Sequence, residues 1–205
     1  MAYTSRSFWI WASIAAFVVL LLVYVNVSGK PAFAKSAIVD PSSLPGLTTG
    51  DTPWPTEIRN LRARLKAIGV PPLASEGSAL HIHQHLDIFV DGQPVAVPAG
   101  IGVDEPAFIA PIHTHDDSSI IHVESPVVQT FTLGQFFDIW GVRFTNSCIG
   151  GYCSSATSTL KVYVDGTEYQ GDPRQLPLKE HEEIAVVYGQ PPAPIPPTFA
   201  FPPGY

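Results

Sequence analysis

The chain has 205 residues and a formal net charge of −7, with Lys and Arg spread along it rather than gathered into a basic stripe. That balance argues against nucleic acid as a partner. Between an apolar start and a proline-rich end, the length leaves room for one folded domain of roughly 110–130 residues, enough to bury a core of its own.

Residues 1–7 read as a cytoplasmic amino terminus and residues 8–27 as a transmembrane signal anchor. Phe8 to Val27 carries no charge, and such a run can cross a hydrocarbon core of roughly 30 Å as a helix. Trp9, Trp11 and Tyr24 lie near its ends, where amphipathic rings favour the interface. The other outcome is a cleaved secretory signal ending at the small-x-small site Ala32-Phe33-Ala34. With the amino terminus inside, either outcome places the remainder on the extracytoplasmic side. Residues 28–55, with Pro41, Pro45, Gly46, Gly50, Pro53 and Pro55, are expected to be an extended linker.

The folded domain is expected over residues 56–190. It opens with a helix over 56–68, with Thr56 as N-cap, an apolar stripe of Ile58, Leu61, Leu65 and Ile68, and a stop at Gly69 before Pro71-Pro72. Arg59, Arg62, Arg64 and Lys66 would form a solvated basic face, with contact to anionic headgroups as its other role. From His81 the pattern turns to strand. Leu86 to Val97 reads as a hairpin around Asp91-Gly92, Leu160 to Gly166 repeats the turn signal, and Ile184 to Tyr188 supplies a further strand. Ile120 to Glu124 and Val127 to Thr132 also read as strands. Thr132 then caps a short apolar helix, Leu133 to Trp140, that Gly141 ends. The fold class implied is α+β, mostly antiparallel β-sheet with a packed helix. The tail, residues 191–205, is Pro-rich but carries Ile195, Phe199, Phe201 and Tyr205. Those aromatics leave it open between a linker and a strap that wraps back onto the domain.

Chemistry concentrates in the histidines. Six of the seven fall between positions 81 and 122, about one-fifth of the chain. Successive strand residues face opposite sides, so His81, His83, His85 and Asp87 line one face, with Ile82, Leu86 and Ile88 on the other. His113-Thr114-His115 and His122-Val123-Glu124 repeat the alternation. Paired imidazoles at i and i+2 point to a metal site for one ion or two. His83, His85, His113 and His115 are the first-choice ligands and His122 and His81 the next. Glu124 is a ligand, an orienting group or a general base. Asp87, Asp116 and Asp117 either accept an imidazole N–H or serve turns. His181, in the charged run Lys179 to Glu183, reads as solvated.

No methionine follows Met1, which argues against a thioether copper(I) site, so a copper or zinc ion on imidazoles is the cofactor expected. Cys148 and Cys153, with Gly150-Gly151 between them, read as a disulfide closing a tight loop, with a redox pair or thiolate ligation as alternatives.

The runs His83-Gln84-His85-Leu86, Phe89-Val90-Asp91-Gly92, Val97-Pro98-Ala99-Gly100-Ile101-Gly102, Ile112-His113-Thr114-His115-Asp116, Ile120-Ile121-His122-Val123-Glu124 and Phe131 to Phe137 are found together. In these the chain resembles an uncharacterised family of membrane-anchored or exported bacterial and archaeal proteins, across residues 80–190. Members often carry Gly where this chain has Ser119. The resemblance implies no particular activity. The histidine spacing does not match a cupin, since Glu124 lies nine residues after His115.

From the residues, the expectation is a membrane-tethered extracytoplasmic protein that binds copper or zinc for handling, delivery or sensing, with a protein partner for metal transfer. A metalloenzyme with Glu124 as base and a pH-responsive structural module are the alternatives.

Overall fold

A computed structural model describes residues 40–205; the expected cytoplasmic terminus, the anchor at 8–27 and the first part of the linker lie outside the described residues. Among the described residues no helix is long and apolar enough to cross a membrane.

The domain is built on a mixed, mostly antiparallel seven-stranded sheet. Its axis is β1 (Leu80–Val90). Along its first half β1 pairs antiparallel with β6 (Ile120–Ser125), and beyond β6 lies β5 (Ile112–His113). The second half of β1 pairs antiparallel with β2 (Gln93–Val95) and parallel with β11 (Glu183–Tyr188). Beyond β11 come β9 (Leu160–Val164) and β10 (Thr167–Glu168). Two small hairpins, β3 (Val103–Asp104) with β4 (Phe108–Ile109) and β7 (Cys148–Ile149) with β8 (Tyr152–Cys153), stand outside this sheet.

Turn chemistry explains both Asp-Gly hairpins. Asp91 and Gly92 take φ of 49° and 77°, and Asp165 and Gly166 take 49° and 73°. These are the paired positive values of two-residue type I′ turns, whose twist matches that of the flanking strands.

Two helices cover one face of the sheet. Helix α1 (Leu61–Ile68) ends at Gly69 in the left-handed conformation. Helix α2 (Leu133–Trp140) begins with a full capping box between Thr132 and Gln135 and ends at left-handed Gly141. Leu61, Leu65 and Ile68, Phe136, Phe137 and Ile139, and the sheet residues Leu86, Ile88, Ile121, Val123, Ile184 and Val186 form one buried cluster. Phe137 stacks on Phe144 at 4.2 Å between ring centres.

Several expectations give way here. Helix α1 starts at Leu61 instead of 56, because Thr56 donates its hydroxyl to the Ala99 carbonyl and the Glu57 carboxylate accepts from Asn60 N. Ile58 is therefore exposed at 48%. Arg64, assigned to a solvated face, is fully buried. Its guanidinium donates to the carbonyls of Ile139 and Trp140 at the end of α2 and pairs with Glu57. Arg62 instead lies over the Phe108 ring at 4.2 Å. The described part of the expected linker is packed: Leu44 and Trp54 join the core, and Thr48 bridges to Val142. Residues 127–131 form no strand, and Val128 is 77% exposed. Cys148 and Cys153 form a disulfide across the β7–β8 hairpin, a bond suited to an oxidising, extracytoplasmic compartment.

Candidate metal centre

The second face of the sheet is polar, and strand register assembles it. On β1 and β6, His81 lies opposite Glu124 and His83 opposite His122, while β5 brings His113 opposite His122. Residues opposite one another in an antiparallel pair share a face, so these side chains converge. Two four-residue sets result, each with ligand atoms mutually within 4.8 Å. One is His81, His83, His122 and Glu124; the other is His113, His115, His122 and Glu124.

The donors are arranged in pairs. His81 Nε2 and His83 Nε2 stand 3.1 Å apart, as do His113 Nε2 and His115 Nε2. Nitrogens bound to one tetrahedral zinc at about 2.0–2.1 Å stand about 3.3 Å from each other, so both pairs are close to ligating separation. Each pair has a buried member, His83 or His113, and a more exposed one, His81 or His115, at 53% and 41% side-chain exposure. The exposed imidazoles give solvent access to the centre.

His113 is the best-defined donor. Its Nδ1 lies 2.9 Å from the Ala110 carbonyl oxygen, and a carbonyl can only accept, so Nδ1 carries the proton and Nε2 keeps its lone pair. Its segment is anchored from the other side: Thr114 donates its hydroxyl to the Pro98 carbonyl and accepts from Ile101 N. Gly102 makes this approach possible, since a Cβ there would meet Ile112 O at 2.7 Å. The glycine-rich run before β3 thus serves as the support behind the His-Thr-His segment.

Electrostatics keep the buried rings neutral. Burial, then the neighbouring His115, lowers His113 to about 3. Burial, then His115 and His113, lowers His122 to about 3. His83 is also lowered, by burial first and His81 second. Neutral imidazole is the form that binds metal. Glu124 moves the other way, raised to about 7 by burial and then by the carboxylate of Glu76. His122 Nδ1 and His81 Nε2 approach Glu124 Oε1 at 3.2 and 3.3 Å. His83 Nδ1, the nitrogen turned away from the His81 pair, is buried without a hydrogen-bond partner.

The remaining candidates fall elsewhere. His85, a first choice beside His83, lies farther along β1. Its Nδ1 meets Glu183 Oε2 at 2.7 Å, and it groups with Asp87 and Glu183 instead of with His113. Of the acids at 116 and 117, Asp116 accepts from Ser118 N and serves a turn. The cysteines are used in the disulfide and offer no thiolate. Glu76 escaped sequence reasoning: its carboxylate lies 3.4 Å from His115 Nε2. It sits in an irregular loop with no periodicity to mark it. Gly77 lets that loop press on the backbone after β6, where a Cβ would stand 2.1 Å from the Ser125 carbonyl carbon.

The tail wraps back over this face. Phe199 stacks on His85 with ring centres 3.7 Å apart, and Tyr205 packs against His83 and His122 at 5.0 and 5.5 Å. His181, expected to be solvated, is exposed yet holds the strap: its ring contacts Phe201 and its Nε2 meets the Tyr205 carbonyl oxygen at 3.1 Å.

The buried His and Glu clusters can form metal sites of mixed nitrogen and oxygen donors. No family model, curated protein or solved structure matches the chain, so its functional reading stands on this geometry.

Proposed function

We propose that this protein is an extracytoplasmic metal-binding protein, tethered by the apolar segment at 8–27, that takes up copper(II) or zinc(II) for handling, delivery or sensing. The observation that carries the reading is the pair of Nε2–Nε2 separations of 3.1 Å, one along β1 and one at β5 and the bend that follows it. Rings positioned before the ion arrives, the buried ones among them held neutral, offer lone pairs at little ordering cost. Three imidazoles and a carboxylate in each set suit zinc, or copper(II), better than the hard oxygen-seeking cations. A protein that receives the ion would approach at the exposed His81 and His115.

The test is the metal content of the full chain, purified without a histidine tag in mild detergent and titrated with Cu(II) and Zn(II) against a competing chelator. Tight stoichiometric uptake is expected. A His83→Ala, His113→Ala double variant should lose it while keeping its far-UV spectrum. Only weak, nonstoichiometric uptake by the unaltered chain would overturn the reading and leave a pH-responsive face.

A second reading draws on Glu124, whose carboxyl is raised to about 7 and so is suited to proton transfer near neutrality. If three histidines held zinc and water took the fourth position, Glu124 would act as base on that water. Ester hydrolysis abolished in Glu124→Gln with zinc retained would favour catalysis; no hydrolysis in the zinc-loaded chain would remove it.

A further inference from the structure

We propose that the centre is dinuclear: two metal ions side by side, with the Glu124 carboxylate spanning them. This rests on the metal-binding reading above and deepens it.

The donors exceed what one four-coordinate ion can use. Five imidazoles and one carboxylate make up two sets that have His122 and Glu124 in common and differ in the pairs His81/His83 and His113/His115. The pairs come from different places, one from β1 and the other from β5 and the residues just after it. Each has its own close Nε2–Nε2 separation and its own solvent-exposed member. Each pair is therefore half of a separate coordination sphere, completed from the shared strand β6.

Of the two shared residues, Glu124 is the type that can serve two ions, while neutral His122 has one free lone pair and completes one of the two spheres. A carboxylate has two oxygens with about four lone-pair sites, and two-metal centres hold their ions roughly 3.5–4 Å apart. The His122 ring lies between the pairs, at 4.7 Å from the His83 ring and 4.5 Å from the His115 ring. The two positions are chemically distinct. Glu76, 3.4 Å from His115 Nε2, adds a second carboxylate on the His113/His115 side. On the His81/His83 side the Tyr205 ring packs against His83 instead. The first position therefore offers more oxygen, and the second has an aromatic ring against its buried histidine.

The test uses the full untagged chain in mild detergent, loaded with Cu(II) under chelator competition, with metal per chain by elemental analysis and electron paramagnetic resonance on the same samples. Two coppers per chain are expected, with a half-field transition and less signal than two isolated spins. His81→Ala and His115→Ala change exposed side chains, so the fold survives, and each should leave one uncoupled copper. Glu124→Gln should remove the coupling. One copper in the unaltered chain overturns the dinuclear centre while leaving metal binding intact. Two coppers with independent spectra, or coupling kept in Glu124→Gln, overturn the shared carboxylate. No copper and no zinc overturn the metal-binding reading itself.

Discussion

The two faces of the central sheet are made by the same strands and solve opposite problems. Under α1 and α2, Leu86, Ile88, Ile121, Val123, Ile184 and Val186 close into an apolar cluster. One residue along each strand, the facing side gathers His81, His83, His122 and Glu124. Burying an apolar side chain stabilises the fold by roughly 1.5–3 kcal/mol, whereas burying imidazole or carboxylate costs free energy unless a partner compensates. The polar face shows the sign of that cost: His113 and His122 drop to about 3, Glu124 rises to about 7, and His83 Nδ1 stays unpartnered. One face holds the fold together. The other spends part of that stability on a preformed set of donors.

The largest effect should come from breaking the apolar side. Phe137→Ala removes a fully buried ring and should destabilise by about 3–5 kcal/mol, by the same amount with and without zinc. Urea unfolding in both conditions checks this, and a zinc-dependent loss would mean that the faces are not separable. His122→Ala should behave in reverse, with little loss in the metal-free chain and no remaining stabilisation by zinc. At a 100-fold excess over the dissociation constant, that missing gain is about 2.7 kcal/mol, and thermal melts with and without zinc would show it.

Away from both faces, the Cys148–Cys153 disulfide closes a short loop, and replacing both cysteines with Ser should cost about 2 kcal/mol by the chain-entropy argument. Zinc affinity should not change, and a large change would tie that hairpin to the metal face.

Acidification should act on the polar face, where the largest shifts lie. His113 and His122 bind protons far less readily in the fold, at about 3, than at their ordinary 6.5. The unfolded metal-free chain therefore binds more protons between those values, so the contribution is complete above 6.5 and is lost as pH falls toward 3. Glu124 opposes this: its value rises from 4.5 to about 7, so its contribution is present below 4.5 and lost as pH rises through 7. Among these three groups, two histidines against one carboxyl make a contribution to metal-free stability that rises between pH 4.5 and 6.5. A urea midpoint that stays flat across that window would contradict this assignment of charges. The smallest effect should come from the strap: Phe199→Ala loses the stack on His85, about 1 kcal/mol, and should speed zinc release, as stopped-flow chelator capture would record.

Much of the fold was legible because its signals are local. Alternation put His81, His83, His122 and Glu124 on the face opposite Ile121 and Val123. Asp91-Gly92 and Asp165-Gly166 marked their turns, and Thr132 with Gly141 bounded α2. Arg64 was misread because helical spacing says which residues share a side but not what arrives there. The side assigned to solvent meets the carbonyls at the end of α2, which attract a guanidinium.

By itself, then, the sequence determined which residues could face one another: period-two strands, type I′ turns and helix caps depend on neighbours a few positions apart. Only the tertiary structure decided which ones do. The pairing of His83 with His122, the separation of His85 toward Glu183, the arrival of Glu76 at His115 and the return of Tyr205 all join residues distant in the chain. Register and loop packing set those meetings, and both are settled by burying the apolar face, not by the local sequence of the residues that meet.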